Sequence, residues 1–175
     1  MRIFEAHISD LTMSFLDSIS INVQDYLFAN QRIEKICGCK DFFPSEDRYL
    51  SLKDELNKPE RFYMAEDRGE YGDFQTNMTL TKAVTQVLLK KNIAPEIVIE
   101  PTCGKGNFIL AALQKFPSIK HIIGIEIYEP HVWQCKFNIL DYFLSNPEAN
   151  KPQVQIHHSN VFSFDFLELK KQIQK

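Results

Sequence analysis

At 175 residues, with 44% apolar and 25% charged side chains, the chain is long enough for one ordinary domain with a real core and is not composed like a disordered segment. A net charge of −3 supplies no general basic footprint for nucleic acid, so any DNA-gripping surface must lie mostly elsewhere. No apolar run approaches the ~18 to 20 residues of a membrane span, and the amino terminus lacks the order of a signal peptide, so no membrane partner is expected and the cytoplasm is the default compartment.

Residues 1 to about 38 place Phe4, Ile8, Leu11, Phe15, Leu16, Ile19, Val23, Tyr26 and Leu27 at mixed helical spacing. One or two amphipathic helices are expected there, with a break around Ser18 to Asn22 and a packing role rather than a chemical one. From Cys39 to Glu70 the composition turns polar and charged and is interrupted by Pro44 and Pro59. A short helix is expected around Leu50 to Leu56, and Glu60 to Glu70 reads as a solvated approach to the next element. Residues 1–70 are therefore taken as a helical extension and linker, and residues 71–175 as the ligand-binding part. The four cysteines, at 37, 39, 103 and 135, follow no zinc or C-x-x-C spacing and read as reduced thiols.

Tyr71-Gly72-Asp73-Phe74-Gln75-Thr76-Asn77 forms a loop before a helix whose Leu80, Ala83, Val84, Val87 and Leu88 recur at i, i+3, i+4, i+7 and i+8. Lys90-Lys91-Asn92 suits that helix's carboxyl end. Ile97-Val98-Ile99-Glu100 then reads as a strand ending in an acid, and Pro101-Thr102-Cys103-Gly104-Lys105-Gly106 as a tight turn opening a helix at Phe108. Gly104 and Gly106 let a ligand approach the main chain, and the free N–H groups of the helix start suit a polar or anionic group. Glu100, at the carboxyl end of its strand, suits a ligand that also carries a positive charge. Neither familiar glycine fingerprint fits: the dinucleotide motif needs glycine where Ile109 stands, and the P-loop needs it where Ile99 stands.

Pro117 stops the helix, and His121-Ile122-Ile123-Gly124-Ile125-Glu126 reads as a second buried strand ending in an acid. Glu126 lies 20 residues after Gly106 (126 − 106 = 20), close to the offset of about 20 residues at which nucleotide sites place their ribose-binding acid. Pro130 opens a helix whose Trp133, Phe137, Leu140 and Leu144 form a core stripe. A third strand, Val154 to His158, leads into Ser159-Asn160-Val161-Phe162. Alternation puts His157 and His158 on opposite faces, which argues against a joint metal site.

The run Glu100-Pro101-Thr102-Cys103-Gly104-Lys105-Gly106-Asn107-Phe108 resembles motif I of S-adenosylmethionine-dependent methyltransferases, in the acid-Pro-x-Cys-Gly-x-Gly-x-Phe form typical of N6-adenine DNA methyltransferases. Gly72-Asp73-Phe74-Gln75-Thr76 is similar to motif X, and its position directly before motif I is that of the gamma class. The resemblance covers roughly residues 71 to 165 and implies a Rossmann-like methyltransferase fold of α/β class, here strands 1 to 3 of a mainly parallel sheet. It further implies S-adenosyl-L-methionine as cofactor. Phe74 and Thr76 would lie against its methionine end, Glu100, Thr102, Cys103, Gly104 and Gly106 would form the motif I cradle, Glu126 would hold the ribose and Ile127 would lie beside the adenine. Motif III usually has an acid where Asn160 stands, so Asn160 and Val161 meet the adenine with one departure from the pattern.

The family's catalytic tetrapeptide, Asn-Pro-Pro-aromatic, occurs nowhere in these residues; the single Asn-Pro, Asn146-Pro147, is followed by Glu148. No catalytic residue is therefore assigned. The expected function is the cofactor-binding portion of a DNA methyltransferase of restriction-modification type, inactive alone, with DNA contacted through a carboxy-terminal part and a restriction-modification partner subunit as a further associate. Strands in the order 3-2-1 would leave the first with an open edge, to be covered by the amino-terminal helices, by a partner or, as favoured here, by the rest of a longer enzyme. Two other readings stay open: an RNA adenine or protein glutamine as acceptor, or a non-catalytic cofactor-binding subunit.

Overall fold

The computed structural model describes residue 4 and residues 6–22, 25–58 and 76–173. Three strands, β1 (Ile97–Glu100), β2 (His121–Glu126) and β3 (Gln153–His158), form a parallel sheet in the order β1-β2-β3. Helix α5 (Asn107–Lys115) connects β1 to β2 and α6 (Glu129–Ser145) connects β2 to β3. These are the crossover helices that parallel pairing demands. Helix α6 starts with proline in its first turn, where the missing N–H costs nothing. The result is an α/β architecture compatible with a Rossmann-like fold, with all three strands ending on the same side.

Register explains the two faces of the sheet. Val98 lies beside Ile122, and Ile122 beside Val154, so these three share one face and belong to the main core. Ile99, Ile123 and Gln155 share the other. Glu100 pairs with Gly124, and Glu126 with His158, which sets the acids at successive levels of the carboxyl edge.

The residues before the sheet are helical, as expected, with shifted boundaries: α1 (Asp10–Asn22), α2 (Tyr26–Cys37) and α3 (Glu46–Leu56). The expected break at Ser18 to Asn22 falls later, since Asp25 caps α2 by accepting from the Leu27 N–H. Helices α1 and α2 pack on α6. Gln134 of α6 exchanges two hydrogen bonds with the His7 backbone, at 2.7 and 2.9 Å, and Asp141 accepts from the Ser9 and Thr12 hydroxyls. Phe4, Phe42 and Phe43 surround Trp133 with centroids 4.7 to 6.0 Å away. One continuous apolar core thus runs from Phe4 to Ile156.

After α2 the chain turns through Gly38 and pairs with β3: Val154 N–H donates to the Gly38 carbonyl at 2.8 Å, and Lys40 N–H to the Val154 carbonyl at 2.9 Å. The amino-terminal segment therefore closes the outer edge of β3. It does not cover β1, whose outer edge has no partner strand among the described residues.

Helix α4 (Met78–Lys90) packs on α5, but with a different face inward from the one its apolar period suggests. Thr81 and Thr85 are buried, and Leu80, Val84 and Val87 are exposed. The threonines satisfy their hydroxyls on carbonyls of their own helix, Met78 and Thr81, so burial strands no polar atom. On β1, Ile97 and Ile99 are likewise exposed, each at 44%. Among the described residues no helix is long and apolar enough to cross a membrane.

Candidate functional site

The loop between β1 and α5 is built on two left-handed glycines, Gly104 at φ 51° and Gly106 at φ 86°. A Cβ at Gly106 would also lie 2.7 Å from the Cys135 sulfur, so both backbone angle and helix packing demand glycine there. Cys103 anchors the loop to the sheet by donating its N–H to the Ile125 carbonyl at 2.9 Å, and Gly106 N–H closes the turn onto the Cys103 carbonyl at 2.8 Å. Cys103 is buried, as expected of a loop-packing residue. The Cys135 thiol is pushed well up by its hydrogen bond with Cys103 and by burial, which keeps Cys135 in its thiol form.

Glu126 is the centre of the site. Its carboxylate, buried at the end of β2, accepts from Gly104 N–H at 2.9 Å through one oxygen and from Tyr128 N–H at 2.8 Å through the other. Each oxygen keeps further acceptor capacity, two sites in all for a vicinal diol. The strand-end acid and the glycine loop that the sequence placed 22 residues apart are therefore in direct contact. Glu126 carbonyl oxygen accepts from Ser159 N–H at 2.9 Å, which ties the end of β3 to the same point.

Glu100, half-buried, ends β1. Burial raises its carboxyl above the usual range, and no cation among the described residues forms an ion pair with it. Thr102 is exposed in the turn. Ile127 follows Glu126 with 63% of its surface open, an apolar side chain held out beside the acid, and its carbonyl is held by His158 Nε2 at 2.9 Å. Asn160 spends its side-chain oxygen on Phe162 N–H at 2.9 Å, capping the 3-10 turn Val161–Ser163. Its amide nitrogen is the group left for a ligand, and Val161 lies half-buried beside it.

Phe74 lies outside the described residues. Thr76 is reached through a bond the sequence did not reveal: Asn107 Nδ2 donates to the Thr76 carbonyl at 2.8 Å, joining the loop before α4 to the first residue of α5. Asn138 of α6 likewise donates to the Lys105 carbonyl at 2.9 Å and is itself held by Gln134. Asn107 stands inside the glycine motif, and its short amide at a helix start is the one signal that could have marked it.

Part of the chain is similar to the type II methyltransferase M.NspV of a Nostoc species: 46% identity over 67 residues, which is 38% of this chain and 14% of that protein. This partial similarity supports a methyltransferase. The matched stretch is thus a small share of the relative's own length. No family model matches the chain, and no solved structure matches it significantly.

Set against this, the residues fit S-adenosylmethionine, the usual methyltransferase cofactor. A carboxylate with spare acceptors suits the ribose hydroxyls, an unpaired half-buried acid suits the ammonium group and an exposed isoleucine suits the adenine face.

Proposed function

We propose that this chain is the S-adenosylmethionine-binding portion of a DNA methyltransferase that modifies adenine N6. The observation that carries the reading is the Glu126 carboxylate bonded to Gly104 N–H at the mouth of β1 and β2. The motif I form with proline and cysteine, and the similarity to a type II methyltransferase, favour DNA as acceptor over RNA or protein. The cofactor would supply an electrophilic sulfonium methyl group. Glu126 orients the ribose, Gly104 and Gly106 let the ligand lie against backbone, and Glu100 faces its positive charge.

Orientation of a flipped-out adenine needs an acceptor for its amino group beside that methyl, and the Asn-Pro-Pro-aromatic run that supplies it in the family this sequence resembles is not found in these residues. Calorimetric titration of the chain with S-adenosylmethionine tests the cofactor half of the proposal. Transfer of labelled methyl groups to DNA, RNA and protein by the complete gene product tests the acceptor. Saturable binding with transfer to DNA adenine is expected; a folded chain that binds no cofactor, or transfer confined to RNA or protein, overturns the corresponding half.

Glu100 gives the site a pH dependence with a definite sign. Its carboxyl is raised in the free protein by burial, and a bound ammonium would draw it back down. Cofactor affinity is therefore expected to rise as pH rises through the raised value, with a proton released on binding below it. The unliganded fold behaves oppositely. An acid raised by burial costs stability as pH climbs from its ordinary value through the raised one, and Glu100→Gln removes that cost. Glu100→Gln should thus flatten the pH profile and weaken binding roughly tenfold, the size of one charge-assisted hydrogen bond. An affinity equally independent of pH in both proteins would exclude Glu100 as the cation's partner.

A further inference from the structure

A cavity of about 500 Å³ lies beyond β3, away from the glycine loop, between the amino-terminal segment and the first turns of α6. Its walls include Lys40, Arg48, Trp133, Lys136 and His157. Neither Gly104, Gly106, Glu126 nor Ile127 contributes to it. The volume is in the range of small-molecule sites.

One of its polar groups has no partner, and one buried cation is met by neutral groups alone. Lys136 is 3% exposed, and its ammonium donates to the Asp41 and Phe42 carbonyls at 3.2 and 2.7 Å while lying 5.0 Å from the Trp133 ring centre. An ammonium has three donors, and no carboxylate among the described residues meets the third. His157 Nε2 is buried with no hydrogen-bond partner at all. A buried nitrogen without a partner is costly to maintain, which makes His157 Nε2 the group that calls for a ligand. Burial and the Lys136 charge both hold His157 below its usual range.

The charges favour an anion. Lys40, Arg48 and Lys136 face Asp41 and Glu129, and Glu129 is already engaged by Arg48 at 3.0 Å. Lys136 takes the main-chain oxygen of Asp41 rather than a carboxylate. We propose that this cavity is a second ligand site, which binds the phosphate group of a small phosphorylated molecule, with Lys136 and His157 as the buried donors and Lys40 at the rim.

The test is a titration of the chain with inorganic phosphate and with adenosine monophosphate, read on the His157 ring resonances and by calorimetry, against sodium chloride at matched ionic strength. A short DNA duplex forms a separate arm. Saturable shifts of His157 with either phosphate probe, and binding weakened at least tenfold by His157→Gln or by Lys136→Met, support the site. A response to the duplex alone, lost in the same variants, assigns the phosphate to a nucleic-acid backbone instead of a small molecule. Shifts no different from those with chloride, or binding unchanged in the variants, overturn the proposal. Should Lys136→Met fail to fold, because Lys136 also holds the Asp41 and Phe42 carbonyls, His157→Gln decides. S-adenosylmethionine binding is measured in parallel and should be unaffected by His157→Gln, which keeps this site's failure distinct from failure of the cofactor site.

Discussion

Glu126→Ala is expected to weaken S-adenosylmethionine binding by a hundredfold or more while leaving the chain folded. Two contributions add. The ribose loses a charged acceptor that no neighbour replaces, worth about 1.5–3 kcal/mol for hydrogen bonds to a charged group. The loop loses the bond from Gly104 N–H at 2.9 Å, so part of the cost of ordering it is transferred to the binding step. Together these reach about 3 kcal/mol, which is roughly two decades in Kd. The conservative Glu126→Gln separates the two. Its one amide oxygen can still accept from Gly104 N–H, which retains the loop, but the NH2 then faces Tyr128 N–H in place of an acceptor, and one oxygen is left where there were two. An intermediate loss of about tenfold is expected. Calorimetric titration beside a thermal melt checks both. If Glu126→Ala bound within about threefold of the parent, well under 1 kcal/mol, the acid would be no ribose ligand and the site as described would be wrong.

The strand, loop and helix of this site were legible because each rests on local chemistry. Ile97-Val98-Ile99 and Ile122-Ile123 are β-branched runs that prefer a pleated surface, and Gly104 and Gly106 do adopt the left-handed angles that their positions suggested. The offset of Glu126 pointed to its place but not to its partner. A spacing of residues says which strand end carries an acid, whereas the bond to Gly104 depends on how the loop folds back across β1 and β2.

Helix α4 shows the converse limit. Its 3.6-residue period was visible, and Leu80, Val84 and Val87 do share a face. Periodicity shows that a face exists but not which way it points. The helix buried the small Thr81 and Thr85 and left Leu80, Val84 and Val87 exposed. The amino-terminal segment was hidden for another reason. Cys37-Gly38-Cys39-Lys40 has no alternating pattern, so nothing in it announced a bridge to β3.

That bridge makes Gly38 the most sensitive backbone position away from the cofactor site, and Gly38→Ala is expected to destabilise the chain by about 4 kcal/mol. Gly38 ends α2 in the left-handed region at φ 70°, where its N–H closes the helix on the Glu34 carbonyl. Any other residue there pays about 1–2 kcal/mol in backbone strain. A methyl group would also fall inside the van der Waals shell of the Pro152 carbonyl oxygen, a main-chain atom that cannot swing aside as a side chain would. Relief requires the Gly38 and Val154 backbones to separate, which gives up two ladder bonds of roughly 1 kcal/mol each. Against the 5–15 kcal/mol typical of a domain this is a large share, and a chain of this length should lose about 10 °C in Tm. Gly106→Ala should cost less at comparable φ, because there the obstacle is the Cys135 sulfur, a side-chain atom able to rotate. The two glycines also differ in function. Gly106 belongs to the cofactor loop, whereas Gly38 lies at the opposite edge of the sheet, so folded Gly38→Ala should retain parental S-adenosylmethionine affinity at low temperature. A Tm within about 2 °C of the parent would mean that the segment around Gly38 yields freely, and that its pairing with β3 contributes little to holding the amino-terminal helices on the sheet.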